Sequence, residues 1–133
     1  MAIILGADVI ISGEKALFDL ANWLLAHSDD SFAVAAITVA ELWHGVERAT
    51  SRRRTVRERY LRAILTPLPI KPYTEQTAYQ HAKLWARLQS KGKMIGYYDL
   101  IVAATALEGN DEVATFNARH FRQVPGLTVI EPA

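Results

Sequence analysis

Residues 32–37 read FAVAAI, six positions without one polar side chain. A strand with one face in water alternates apolar and polar residues, because its side chains point to opposite faces in turn. A run that fails to alternate is covered on both faces, as in the parallel sheets of α/β proteins. Shorter, mainly apolar runs lie at IIL (3–5), EVATF (112–116) and LTVI (127–130). Val9–Ile11 is a further short apolar stretch, with Ser12-Gly13-Glu14 reading as a turn. LTPLPI (65–70) fits only a short or edge strand, since Pro67 and Pro69 cannot donate to a ladder.

Helical patterns separate these runs. In residues 15–27, KALFDLANWLLAH, the spacing places Leu17, Leu20, Ala21, Leu24 and Leu25 on one stripe. Residues 38–50 form another helix, continued after a break near Ser51 by an arginine-rich segment. Thr74–Lys91 is amphipathic and stops at Gly92. DLIVAATAL (99–107) is apolar nearly all round after Asp99, which predicts a helix inside the core. Strands alternating with helices predict a three-layer α/β/α domain around a short, mostly parallel sheet. At 133 residues, with no repeat and no linker, the chain has the size of a single domain spanning 1–133.

The chain has no cysteine, which removes disulfides, thiolate metal sites and a cysteine nucleophile. It has neither a basic leader with a cleavage-like site nor an apolar run of about 18 residues, so a cytoplasmic location without membrane contact is expected. There is no Gly-rich phosphate loop, no GxSxG elbow and no HExxH pair. Glu41-Leu42-Trp43-His44 supplies one Glu-x-x-His, where di-iron bundles need two. The net charge of +1 is unremarkable. Its distribution is not: arginines occupy 48, 52, 53, 54, 57, 59 and 62, with Glu58 the acidic residue among them. Such a segment serves equally as a solvated helix surface, a partner-docking face or a grip on RNA phosphates. Trp23, Trp43 and Trp85 suit either core or interface, core being the commoner use.

Ligands of open α/β sheets bind beyond the carboxyl ends of the strands. The polar residues just past the strands here are Asp8, Glu41, Asp99 and Asn117. Each also has a local structural use. Thr38-x-x-Glu41 reads as a capping box, Asp99 as an N-cap and Asn117 as a turn residue. Gathered at one edge, however, the carboxylates repel one another, by about 1–4 kcal/mol for a pair 4 Å apart. A divalent cation relieves that repulsion, and carboxylate, amide and water oxygens suit Mg²⁺ or Mn²⁺.

The stretches IILGADVII, AITVAELWHGVERA (36–49), GYYDLIVAATAL (96–107) and TFNARHF with VPGL (115–121, 124–127) resemble, in order and spacing, the PIN-domain family, in particular VapC-type toxins of toxin–antitoxin pairs. The resemblance implies a metal-dependent endoribonuclease using Mg²⁺ or Mn²⁺. It also implies an RNA substrate, a VapB-like antitoxin and a homodimer. Glu41 and Asp99 match acidic site residues and Asn117 a polar or acidic one. The family's first aspartate falls on Gly6, and Asp8 falls on the position two residues later. His120 stands where an acidic residue is common. Gly6 therefore reads as the place of a missing metal-ligating aspartate, with Asp8 a substitute if it swings inward. The resemblance implies a ribonuclease attenuated at Gly6. A catalytically inactive PIN-like module that binds antitoxin or RNA is the alternative. On either reading Arg48, Arg52, Arg53, Arg54 and Arg59 are candidates for RNA or partner contact.

Overall fold

The computed structural model describes all 133 residues. Its sheet has five strands, β1 (Ile3–Leu5), β2 (Phe32–Ala35), β3 (Ile70–Lys71), β4 (Glu112–Ala114) and β5 (Val129–Ile130), in the order β3-β2-β1-β4-β5. Every pairing is parallel, with Ile4 opposite Ala33 on one side and Val113 on the other. The mostly parallel sheet expected from FAVAAI is thus wholly parallel.

The apolar strands feed two cores. Ile3 and Leu5 of β1, Val34 of β2 and Ala114 of β4 face one cluster. Ile4, Ala35 and Val113 face the other. The first cluster is closed by α1 (Ala7–Glu14), α2 (Leu20–Ala26), α3 (Ala36–Arg48) and α4 (Ser51–Leu65), through Val9, Ile10, Leu20, Trp23, Leu42, Val46 and Leu61. The second is closed by α5 (Glu75–Ser90), α6 (Tyr97–Gly109) and α7 (Ala118–Phe121), through Leu84, Leu88, Val102, Ala103 and Phe121. Alternation is present along each strand, but between two dry faces, which is why no polar residue marks it.

Several expectations need correcting. Val9–Ile11 and the turn after it lie within helix α1. Gly6 begins that helix, and Asp8 in its first turn suits the positive end of the helix dipole. The helix expected over 15–27 is confined to Leu20–Ala26, capped by Asp19, whose side chain accepts from the Asn22 amide. Leu17 and Leu25 of the proposed stripe are 77% and 74% exposed, and Trp23 takes the inward position instead. The LTPLPI strand is displaced to Ile70–Lys71, beyond both prolines. The strands read at 112–116 and 127–130 shorten to Glu112–Ala114 and Val129–Ile130.

The long helix fares better. Thr74 and Thr77 form a reciprocal cap at the start of α5, and Gly92 just beyond its end has φ +66°, a left-handed conformation glycine adopts without strain.

Strand β2 runs into α3 with no intervening residue, Ala35 serving as the N-cap without a side-chain bond. Thr38 therefore lies inside the helix and cannot form the capping box expected with Glu41. Its hydroxyl is fully buried and makes no hydrogen bond. A buried polar group without a partner costs about 1–3 kcal/mol. Thr38→Val, which keeps the branched shape, is expected to stabilise the chain by about 1 kcal/mol. Urea unfolding at unchanged slope would show this as a higher midpoint; a lower one would mean that the hydroxyl is bonded in solution.

Candidate active site at the carboxyl end of the sheet

Because all five strands are parallel, the helices that come after them start at one edge. Gly6 comes directly after β1, Asp8 lies in the first turn of α1, and Asn117 lies at the start of α7 beyond β4. Glu41 is in the second turn of α3. Asp99 is the third residue of α6, whose N-cap is Gly96.

Neither Glu41 nor Asp99 takes the local use open to it. Glu41 caps nothing, since α3 starts at Ala36. Asp99 is not an N-cap; its Oδ2 accepts from Asn117 Nδ2 at 3.2 Å. Asn117 occupies the N-cap position of α7 without a side-chain capping bond. Its amide nitrogen also lies 3.1 Å from His120 Nδ1, so Asp99, Asn117 and His120 form one chain of contacts.

Electrostatics bind the group further. Burial is the main cause that raises the Glu41 carboxyl above its ordinary value, with the charges of Asp99 and Asp8 adding to it. Burial likewise raises Asp99. The hydrogen bond from Asn117 and the nearby His120 oppose that shift, while Asp8 reinforces it. Both carboxyls are raised chiefly by burial, Glu41 further by Asp99 and Asp8 and Asp99 further by Asp8, which makes this sheet edge the candidate site.

Asp8 is turned to another task. Its Oδ2 accepts from Thr115 Oγ1 at 2.9 Å and from the Phe116 amide at 2.8 Å, and its Oδ1 from the Val9 amide at 3.0 Å. Thr115 Oγ1 in turn accepts from the Asn117 amide at 2.9 Å. Asp8 and Thr115 thus fix the turn that presents Asn117. The role of Thr115 had no signal in the sequence beyond its place at the end of β4.

Gly6 has φ −70° and ψ 155°, an extended conformation open to any residue, so the backbone does not require glycine. A Cβ built there would lie 2.6 Å from Asp8 Oδ1 and 3.2 Å from the Ala114 carbonyl. Asp8 leans into the space that a side chain at position 6 would enter. No three acidic or histidine side chains stand close enough to enclose a metal ion.

The arginines do not join this edge. Arg48 is at the far end of α3, seven residues from Glu41, about 10 Å along the axis at 1.5 Å per residue. Arg48, Arg52, Arg53 and Arg57 line a cleft with Glu14 and Gly45. Arg54 pairs with Glu47 at 2.9 Å and Arg57 with Glu14 at 3.0 Å. Arg62 pairs with Glu58 at 3.2 Å and lies over the Trp43 ring. Arg48, Arg52, Arg53 and Arg59 are exposed and unpaired. No helix is long and apolar enough to cross a membrane.

Known proteins resemble this chain in sequence and fold. A VapC ribonuclease of Sinorhizobium fredii is 32% identical over 136 residues, which covers 98% of this chain and 96% of that relative. Ribonuclease VapC of Rickettsia bellii is 28% identical with the same coverage of both. The crystal structure of VapBC2 from Rickettsia felis, bound to a DNA fragment from their promoter, matches over the full length of both chains, with a TM-score of 0.90 at 26% identity. The PIN domain model matches residues 4–127. The chain belongs to the PIN-domain family, among relatives of the VapC type.

Proposed function

We propose that this chain is a metal-dependent endoribonuclease toxin of a toxin–antitoxin pair, attenuated by the glycine at position 6. The observation that carries the reading is the convergence of Glu41, Asp99 and Asn117 at the sheet edge, with both carboxyls raised by burial and by neighbouring negative charge. The similarity to ribonucleases named VapC supports the reaction class. The similarity to a VapBC complex supports a VapB-like antitoxin as partner. A homodimer in the cytoplasm completes the proposal.

The donor set fits Mg²⁺ or Mn²⁺, since Mg²⁺ is commonly held by one or two carboxylates plus waters and substrate phosphate. Glu41 and Asp99 would hold the ion. When bound, it supplies Lewis-acid screening of the phosphate and a water of lowered pKa. Asn117 Nδ2 fixes the rotamer of Asp99. Asp8 and Thr115 hold the turn that carries Asn117, so Asp8 acts as a support for the site. An aspartate at position 6 would add a third carboxylate once the Asp8 side chain moved aside.

A second reading has its own observation. With glycine at 6 and no three acidic groups together, the chain fits an inactive module that binds antitoxin or RNA. Gly6→Asp decides between them. In Mn²⁺ the variant is expected to cleave RNA at least ~10–100-fold faster than this chain, taking the loss of a metal's supporting partner as the lower bound. In chelator it is expected to be less stable, because a third carboxylate joins the group and Asp8 is displaced. Equal cleavage by both proteins would mean that the site is already complete; no cleavage by either would favour the binding module.

Glu41→Gln and Asp99→Asn, each built on the Gly6→Asp background, are expected to abolish Mn²⁺-dependent cleavage. Retention of the rate by either would remove that residue from the site.

The raised carboxyls also have a stability signature. Groups whose pKa is higher in the folded chain hold protons that the unfolded chain has released, so their contribution declines as pH rises through that window. Buried His81 is shifted downward and acts in the opposite sense. The difference between Glu41→Gln and this chain isolates Glu41 from His81. In chelator, the advantage of the variant is expected to grow as pH rises above about 4.5, the ordinary Glu value. Mn²⁺ is expected to raise the melting temperature of the parent chain more than that of the variant. A pH-independent difference would show that Glu41 is solvated like a surface carboxylate.

A further inference from the structure

Five tyrosines occur in the chain, and three have partners for their hydroxyls: Tyr60 on the Ile10 carbonyl, Tyr73 on His81 and Tyr79 on Glu75. Tyr97 and Tyr98 do not. They are the first two residues of α6, directly before Asp99, and are 64% and 47% exposed. Their rings stand edge to face, with centroids 5.5 Å apart. Leading to them is Lys91-Gly92-Lys93-Met94-Ile95-Gly96, of which only Ile95 is buried. Neither lysine has an ion-pair partner, and Met94 is 55% exposed. Gly92, with positive φ, turns the chain between the two lysines, and the buried Ile95 anchors the segment just before α6.

Two large rings left in water at the lip of an acidic site are costly unless something covers them. Their chemistry selects the occupant. Single-stranded nucleic acid is held by aromatic faces for the bases and free cations for the backbone. Lysine is depleted from protein–protein interfaces, whereas here two free lysines adjoin the rings. The position beside Asp99 places a stacked base next to the phosphate that the carboxylates address. The arginine cleft lies at the opposite end of α3 and is partly neutralised by Glu14.

We propose that Tyr97 and Tyr98 are a base-stacking platform for single-stranded RNA, with Lys91 and Lys93 on its backbone, and that this segment positions the nucleotide beside the cleaved phosphate. The placement of the cut rests on the nuclease reading; the platform itself does not. Unpaired bases can reach such rings, whereas the stacked bases of a duplex cannot.

The test is binding of labelled oligouridine, and of the same strand in a duplex, to the full chain in chelator, where no cleavage interferes. Single-stranded RNA is expected to bind more tightly than the duplex. Tyr97→Ala/Tyr98→Ala is expected to weaken it about 10–100-fold, the range of one stacked base, with an unchanged melting temperature. Tyr97→Phe/Tyr98→Phe is expected to restore binding. Lys91→Gln/Lys93→Gln is expected to flatten the salt dependence by about one to two ions, while the alanine pair leaves that slope alone. Unchanged affinity in the alanine pair overturns the platform, as does failure of phenylalanine to rescue it or no binding by the parent chain. A change in sedimentation with RNA binding intact would assign the rings to a protein interface and overturn it too. Cleavage by Gly6→Asp reports separately on the nuclease. RNA cut by that variant but indifferent to the tyrosines sinks only the platform; stacking without cleavage sinks only the nuclease.

Discussion

Everything at the candidate site depends on the need to cover both faces of a parallel sheet. Antiparallel strands return through a tight turn, but parallel strands need a crossover, and each crossover here carries a helix onto one face or the other. Ile3 and Leu5 point to one helical layer while Ile4 between them points to the other. The same requirement makes each chain segment leave the sheet at the same edge. Positions 6, 8, 41, 99 and 117, far apart in sequence, meet there because the crossovers share one direction. Burial at that edge raises the carboxyls of Glu41 and Asp99, so the electrostatic strain of the site is a by-product of the layering that stabilises the fold.

The layering was legible because it is written in residue type. FAVAAI and DLIVAATAL contain too few polar groups to be anything but interior. Glu41, Asp99 and Asn117 could be placed because each is a polar residue close behind an apolar strand or at the head of a buried helix. Elements set by longer-range packing were not legible. Val9, Ile10 and Ile11 are β-branched and look like a strand, while an eight-residue helix is too short to show its period. Thr38 and Glu41 have the spacing of a capping box, yet β2 passes into α3 two residues before Thr38, so the pattern falls inside the helix. The pairing of Arg57 with Glu14 joins residues 43 apart and has no local signature. Tyr97 and Tyr98 read as ordinary aromatics until the start of α6 is known, and only then do they lie in solvent beside Asp99.

Position 6 can accept a side chain without a change in its backbone. Gly6 has a backbone that any residue tolerates, and the neighbouring Asp8 is secured by three donors from the chain itself. Asp8 is consequently held in place by the chain around it. It ties α1 to the turn after β4, and through Thr115 it places Asn117. Turning its carboxylate inward would break the three hydrogen bonds that steady this turn.

The strand order has a consequence for how the molecule comes into being. β1 is made first yet occupies the middle of the sheet, where Ile3 must find Phe32 on one side and Glu112 on the other. During synthesis the opening segment leaves the ribosome with half of its partners still to be translated, and closing that span is entropically slow. Asp99 and Asn117 follow Glu41 by 58 and 76 residues. A chain stalled before Asn117 therefore carries no assembled acidic edge, and whatever this site does waits for that residue.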